Sequence, residues 1–334
     1  MQRKAIALFS GGLDSTLAIR LMQVQGINVH AIHFTSPFFG ASPDSDCGKY
    51  DARRAAEMID VPLTVQNLGA DYLEMLRKPH HGYGKAINPC IDCHAYFLRK
   101  AKEFMLSTGA DFVITGEVLG QRPMSQRRDA LAIVERDGEL NGLLLRPLSA
   151  KLLPPTIPEL EGWVDRERFP SIIGRSRKKQ IQLAAEFGIK EYPNPAGGCL
   201  LTETSYSSKV RDIFEHSERL KARDFRLLRI GRHFRLDAET RLLIGRDDRE
   251  NSLLFANIND GETAFRWDEG GGPLGLIIGD VSDDKLQTAA RILLRYTRFQ
   301  KNEAARLIIV SNPDEPSFSC SNDFSAEDVE GFRI

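Results

Sequence analysis

The sequence has no run of 18 or more apolar residues, so it offers no transmembrane helix and implies no membrane partner. It also lacks a signal peptide: the start is Met-Gln-Arg-Lys, and the apolar run Ala5 to Phe9 is too short. Charge of one sign is missing, with 45 Lys and Arg against 46 Asp and Glu. That balance excludes a uniformly basic or acidic surface but leaves room for local patches. Cysteine is scarce. Five residues, an odd number among 334, do not make a secreted disulfide framework. They point to a reducing, cytoplasmic compartment, where thiols are buried, metal-binding or catalytic. Internal repeats are absent. What remains is ordinary globular composition, 42% hydrophobic and 27% charged, at a length that suits two or three domains.

The first half alternates short apolar runs with helical periodicity. Lys4 to Phe9 reads as a strand stopped by Ser10-Gly11-Gly12, and Leu13 to Met22 as the helix that follows. Val29 to Phe34, Leu63 to Val65 and Phe112 to Thr115 read as further strands; Asp51 to Ile59 and Tyr96 to Leu106 read as helices. This predicts an α/β fold, a doubly wound parallel sheet with helices on both faces. Ligands of such sheets sit beyond the carboxyl ends of the strands, where both the Gly11-Gly12 turn and Thr115-Gly116 fall. A proline-rich connection, Pro147 to Pro158, leads to a basic amphipathic helix, Arg175 to Phe187, and a Gly/Pro loop, Pro193 to Cys199. The pattern changes near residue 222. Short alternating segments (Phe225 to Ile230, Phe234 to Leu236, Leu242 to Ile244) precede helices at Glu250 to Ile258 and Lys285 to Phe299 and strands at Leu276 to Ile278 and Leu307 to Val310. The expectation is two domains, 1–222 and an α+β domain over 223–334, with Gly270-Gly271-Gly272 as a turn and a loosely ordered acidic tail from Pro313. Residues 223–246 hold seven arginines and three acids, either a solvated surface or a phosphate-contacting face.

Ser10-Gly11-Gly12-Leu13-Asp14-Ser15 carries the most information. It follows a buried strand and opens a helix. Its glycines let backbone N–H groups approach an anion at the positive end of the helix dipole. Ser10 and Ser15 add hydroxyl donors. Asp14 would repel a bare phosphate, so its natural role is to hold a Mg²⁺ ion bridging phosphates. Neither a Walker motif nor a dinucleotide fingerprint is present. The bland alternative is a serine-capped strand-to-helix turn.

Three cysteines form the second constellation. Cys90 and Cys93 lie in Asn88-Pro89-Cys90-Ile91-Asp92-Cys93-His94, just before a helix, and Cys199 lies in the Gly/Pro loop. They suit three irons of a [4Fe–4S] cluster with the fourth left open, the reading we favour. Persulfide or disulfide chemistry, a zinc site completed by His94, and simple buried thiols stay open. Cys47 and Cys320 show no partner pattern, and His30, His33, His80 and His81 read as loop or core histidines.

The six-residue loop is similar to the pyrophosphate-loop motif of the adenine-nucleotide α-hydrolase (HUP) superfamily, ATP pyrophosphatases that adenylate a carbonyl-type oxygen. Asn88 to Cys93 and Gly198-Cys199 resemble the cysteine sites of tRNA thiouridine synthases. Residues 1 to about 220 resemble the 4-thiouridine synthase catalytic domain, with echoes of the 2-thiouridine synthases. The resemblance implies ATP bound by Ser10, Gly11, Gly12, Asp14 and Ser15, with His33 and Phe34 near adenine and Thr115 and Gly116 lining the site. It implies catalysis through Asp14, Cys90, Cys93 and Cys199, the three thiols being cluster ligands. The implied partners are tRNA and a sulfide or persulfide donor such as a cysteine desulfurase; an oligomer is compatible. Room for a THUMP or rhodanese domain is not evident. Gly231-Arg232-His233-Phe234-Arg235 and Ile244-Gly245-Arg246 with Glu250-Asn251 are similar to the NFACT-R RNA-binding domain, which would supply the RNA grip. The expected activity is ATP-dependent replacement of a uridine carbonyl oxygen by sulfur. Alternatives are a ligase or amidotransferase acting on a small molecule, and a non-catalytic RNA-binding protein. Arg122 and Lys151 are candidate phosphate neutralisers; Arg177, Lys178 and Lys179 either track RNA or form a solvated face.

Overall fold

A computed structural model describes residues 2–39, 52–194, 198–268, 271–299, 304–311, 317–321 and 323–334. Cys47, Gly270 and the 195–197 part of the Gly/Pro loop lie outside the described residues. The chain forms two compact units, Met1–Thr202 and Glu203–Ile334.

The first unit runs β1 (Lys4–Leu8), α1 (Leu13–Gln23), β2 (Asn28–Thr35), α2 (Ala52–Met58), β3 (Leu63–Asn67), α3 (Ala70–Arg77), α4 (Cys90–Thr108), β4 (Phe112–Thr115), α5 (Arg128–Asp137), β5 (Leu144–Leu145), α6 (Ile157–Leu160) and α7 (Lys178–Glu186). Its five strands pair in the order β3-β2-β1-β4-β5, all parallel. Ala5, Ile6 and Ala7 of β1 and all of β4 are buried, as a sheet covered on both faces requires. The order reverses at β1: the chain leaves β1 for β2 on one side, and β4 returns on the other. That switch point opens a crevice at the carboxyl ends of β1 and β4, and the Ser10–Ser15 loop and Thr115-Gly116 border it.

The second unit runs α8 (Thr204–His216), α9 (Ala222–Leu227), β6 (Arg232–Arg235), β7 (Arg241–Ile244), α10 (Asp248–Phe255), β8 (Thr263–Trp267), β9 (Gly275–Ile278), α11 (Asp283–Leu294), β10 (Ala304–Ile309), β11 (Ser317–Ser321) and α12 (Ala326–Glu330). Six antiparallel strands pair in the order β11-β10-β8-β9-β7-β6. Leu242, Ile244, Phe265 and Ile277 face a core shared with Ala289, Ile292 and Leu293 of α11. Leu243, Ala264 and Leu276 face the other side, against Leu227 of α9 and Leu254 of α10. Helices therefore cover both faces, and β7 is buried throughout.

Three expectations change. Phe225 to Ile230 is not a strand-like segment; Phe225 and Leu227 belong to α9 and pack as a helix face. Leu307 to Val310 is not the last element, because β11 and α12 follow it. The acidic tail is accordingly built in where it is described: β11 pairs with β10, and a Ser325 capping box starts α12.

Candidate functional site

The loop between β1 and α1 shows the features of an anion cradle. Gly11 has φ +75°, a left-handed conformation that favours glycine, and a Cβ there would stand 3.0 Å from the Ala52 Cα. The Gly12 N–H donates to Ser10 Oγ at 3.3 Å, and Ser15 Oγ donates to the Gly12 carbonyl at 2.9 Å. The two hydroxyls lie 3.2 Å apart. Opposite them, the end of β4 presses directly on the start of α1. A Cβ on Gly116 would come within 2.5 Å of the Ser15 nitrogen, so only glycine allows this approach.

Asp14 points into a partly finished polar pocket. Gln121 Nε2 donates to its Oδ2 at 3.0 Å, while Oδ1 is buried with no hydrogen-bond partner among the described residues. Burial pushes the Asp14 carboxyl above the usual aspartate range, and Gln121, Arg177, Gln180 and Arg122 only partly offset it. Arg177 precedes α7 and Gln180 lies in its first turn; α7 packs on α1 and carries both to the loop. Gln180 is fully buried with both amide atoms unpartnered. Arg177 is half-buried, whereas Lys178 and Lys179 are exposed, and it adds positive charge near Asp14. Its signal in the sequence was hidden among three consecutive basic residues. Lys151, by contrast, pairs with Glu167 at 2.9 Å.

His33 and Phe34 end β2 beside this loop. The His33 Nδ1 lies 2.8 Å from the Phe9 carbonyl oxygen. Phe34 is buried and stacks on Phe97 of α4, with ring centroids 5.7 Å apart.

Cys90 and Cys93 start α4, and Cys199 lies in the loop that precedes α8. All are free of disulfides and half-buried. Cys90 accepts from the Asn88 amide at 3.3 Å, and Cys93 lies 3.4 Å from the Tyr72 hydroxyl. Burial raises the Cys93 thiol well above the usual range, with Cys199 and Cys90 adding to the rise. Burial likewise raises Cys199, and Cys90 adds to it. Among the described residues no group of three His, Cys, Asp or Glu side chains gathers around a single metal ion. This applies to the three cysteines as well as to the zinc reading, whose fourth ligand, His94, has its Nδ1 2.8 Å from Glu117 Oε1. Asp92, inside the Cys-x-x-Cys, accepts the backbone N–H groups of His80 and His81 and so braces the turn before the motif.

A network missed in the sequence joins the two constellations. Glu117 is buried and binds His94, Thr115 Oγ1 at 3.1 Å and Arg146 Nε at 2.9 Å. Arg146 is 5% exposed and also reaches Glu135 at 2.9 Å and the Leu131 carbonyl. Burial opposes the Glu117 charge, but Arg146 and His94 outweigh it and hold the carboxyl at about 2. The residue after Cys93 is thus tied to the strand end that touches Ser15.

Comparison with known proteins agrees with these two units. Residues 1–151 match the family model described as thiamine biosynthesis protein (ThiI), and residues 231–333 match that of the NFACT protein RNA binding domain. The chain is similar to the tRNA-specific 2-thiouridylase MnmA of Caldicellulosiruptor saccharolyticus, 25% identical over 232 residues that cover 63% of this chain and 59% of the relative. It is also similar to a "Probable tRNA sulfurtransferase" of Ureaplasma parvum serovar 3, 33% identical over 147 residues, 44% of this chain and 37% of the relative. The chain thus spans roughly two-fifths to three-fifths of these relatives' length. A solved 4-thiouridine synthetase–RNA complex with bound ATP matches with a TM-score of 0.34 and 20% identity, over 56% of this chain and 52% of that one.

Proposed function

We propose that this chain is an ATP-dependent tRNA sulfurtransferase that adenylates a uridine carbonyl and replaces its oxygen with sulfur, at carbon 4. The observation that carries the reading is the Glu117 network, which ties His94, next to Cys93, to the strand end that touches the anion cradle. The 1–151 and 231–333 family matches support it, one for the thiolation domain and one for RNA binding.

The residues suit two absent groups. An unpartnered, buried carboxylate oxygen on Asp14 fits a hard cation, and Mg²⁺ there would neutralise phosphate charge. Three separated thiols fit a [4Fe–4S] cluster, whose irons each take one thiolate; when bound on Cys90, Cys93 and Cys199 it would offer an open iron to a sulfide.

The loop N–H groups and the Ser10 and Ser15 hydroxyls would grip the β- and γ-phosphates, and Arg122 and Arg177 would offset charge that grows on the leaving pyrophosphate. The uridine oxygen attacks the α-phosphorus, and PPi departs. Sulfur then adds at the activated carbon, and AMP leaves with the former carbonyl oxygen. Activation is needed because that oxygen is a poor leaving group by itself. The target base must first leave its stack.

The test is ATP turnover and iron analysis on anaerobically purified protein. We expect PPi release that depends on unmodified tRNA, and about four irons per chain that are lost in the Cys90, Cys93 and Cys199 serine variants. PPi release without tRNA would favour a small-molecule ligase. RNA binding without PPi release would favour a non-catalytic protein. No iron after anaerobic reconstitution would move the sulfur step to a persulfide.

A further inference from the structure

The geometry points to a second anion site, within the C-terminal unit: we propose that a cavity beside α9 seats a phosphate of the RNA backbone. The inference rests on the RNA-directed reading above and adds where the grip lies.

The cavity has a volume of about 180 Å³, and its walls include Arg219, Lys221, Arg223, Arg235 and Arg241. Three of the guanidiniums are held by carboxylates, two of which, Asp224 and Glu262, themselves line the cavity. Arg223 forms a two-pronged bond with Glu262 at 2.7 and 2.6 Å and also reaches the Asn257 carbonyl. Arg241 binds Asp224 at 3.0 Å, and Arg235 binds both carboxylate oxygens of Asp212. These pairs consume only part of the donor capacity. Arg241 is 5% exposed, yet its Nη1 has no hydrogen-bond partner among the described residues, and the Arg223 Nε is likewise unpartnered. A buried guanidinium N–H without an acceptor is costly, and an incoming anion would remove that cost.

At the rim, Arg219 and Lys221 are exposed, and among the described residues no carboxylate pairs with either. Asp224, Glu239 and Glu262 also line the cavity, and the first and last are occupied by Arg241 and Arg223. The site therefore offers a rigid floor of arginine forks beneath two free cations. That arrangement suits a tetrahedral oxyanion with several acceptor oxygens better than a single carboxylate.

Phosphodiester and free phosphate share this chemistry, and the test separates them. The full-length protein is titrated with unmodified tRNA from about 50 to about 200 mM salt, as wild type, as the Arg219→Glu/Lys221→Glu double variant and as Arg241→Gln. We expect the double variant to bind roughly 10- to 100-fold more weakly at low salt, with a salt slope shallower by about 1 to 2. ATP binding in the absence of tRNA should not change. Arg241→Gln should weaken binding in the same direction; if it unfolds, the two rim substitutions still decide the matter. Unchanged affinity and slope in the double variant would overturn the proposal. So would saturable binding of inorganic phosphate that the double variant loses while it keeps wild-type tRNA binding, the mark of a free-anion site. Failure of the thiolation reading looks different: the wild-type protein would bind tRNA with a salt-dependent affinity and thiolate nothing.

Discussion

Two carboxylates of the N-terminal unit, buried Glu117 and half-buried Asp14, have opposite fates. Glu117 has partners on every side and is held ionised at about 2. Asp14 lies one strand away, at the tip that Gly116 touches, and burial pushes it in the other direction while Oδ1 stays unpartnered. A carboxylate whose charge is fully compensated is a strut. One whose charge is only partly compensated is an unfinished ligand set. On the proposed reading, the difference separates a residue that holds the site together from one that would take a cation.

Substitution should break this contrast in a graded way. Asp14→Asn should lower tRNA-dependent PPi release at least about a hundredfold, measured by coupled phosphate detection. Because the ionised form is disfavoured in the empty site, the same change should not lower the melting temperature. Cys199→Ser should abolish thiouridine formation, read by mass spectrometry of nucleosides, while it spares ATP binding. Arg146→Met leaves buried Glu117 with only His94 and the Thr115 hydroxyl, so denaturant unfolding should show a loss of about 3–5 kcal/mol. Glu117→Gln should cost less, roughly 1–3 kcal/mol. The sign of its pH dependence is fixed: Glu117 is depressed from 4.5 to about 2 on folding. Its contribution to stability is therefore complete above about pH 4.5 and is lost as the pH falls towards 2. A Glu117→Gln variant should show a flatter stability profile in that window. An Asp14 variant that unfolds, or an Arg146 variant of unchanged stability with lost turnover, would reverse the assignment of strut and ligand.

Much of the crevice was legible because its chemistry is local. Ser10 to Ser15 is contiguous, its glycines report the turn, and the runs on either side report strand and helix. The cysteine pair and Cys199 were legible as residue types. What escaped the sequence is long-range. Arg177 and Gln180 reach Asp14 only because α7 packs on α1. Arg146 reads as the edge of a proline-rich connection, yet it binds Glu117, 29 positions earlier. Helix α5 carried a usable signal, with Ala130, Leu131 and Val134 on one buried face, but its charged ends, Arg128-Asp129 and Glu135-Arg136-Asp137, resemble a loop. Strand β11 reads Ser-Phe-Ser-Cys-Ser, too polar to announce itself, and is ordered by its pairing with β10. Position in the sheet did not decide legibility: the edge strand β3 was announced by Leu63 to Val65, whereas the interior strand β8, Thr263–Trp267, was not.

The most direct test is nucleoside mass spectrometry of an unmodified tRNA transcript incubated anaerobically with the reconstituted protein, ATP, Mg²⁺ and sulfide. The account predicts one 4-thiouridine formed per PPi and AMP released, and none with Asp14→Asn. ATP cleavage with no thiolated nucleoside, or thiolation that proceeds without ATP, would contradict it.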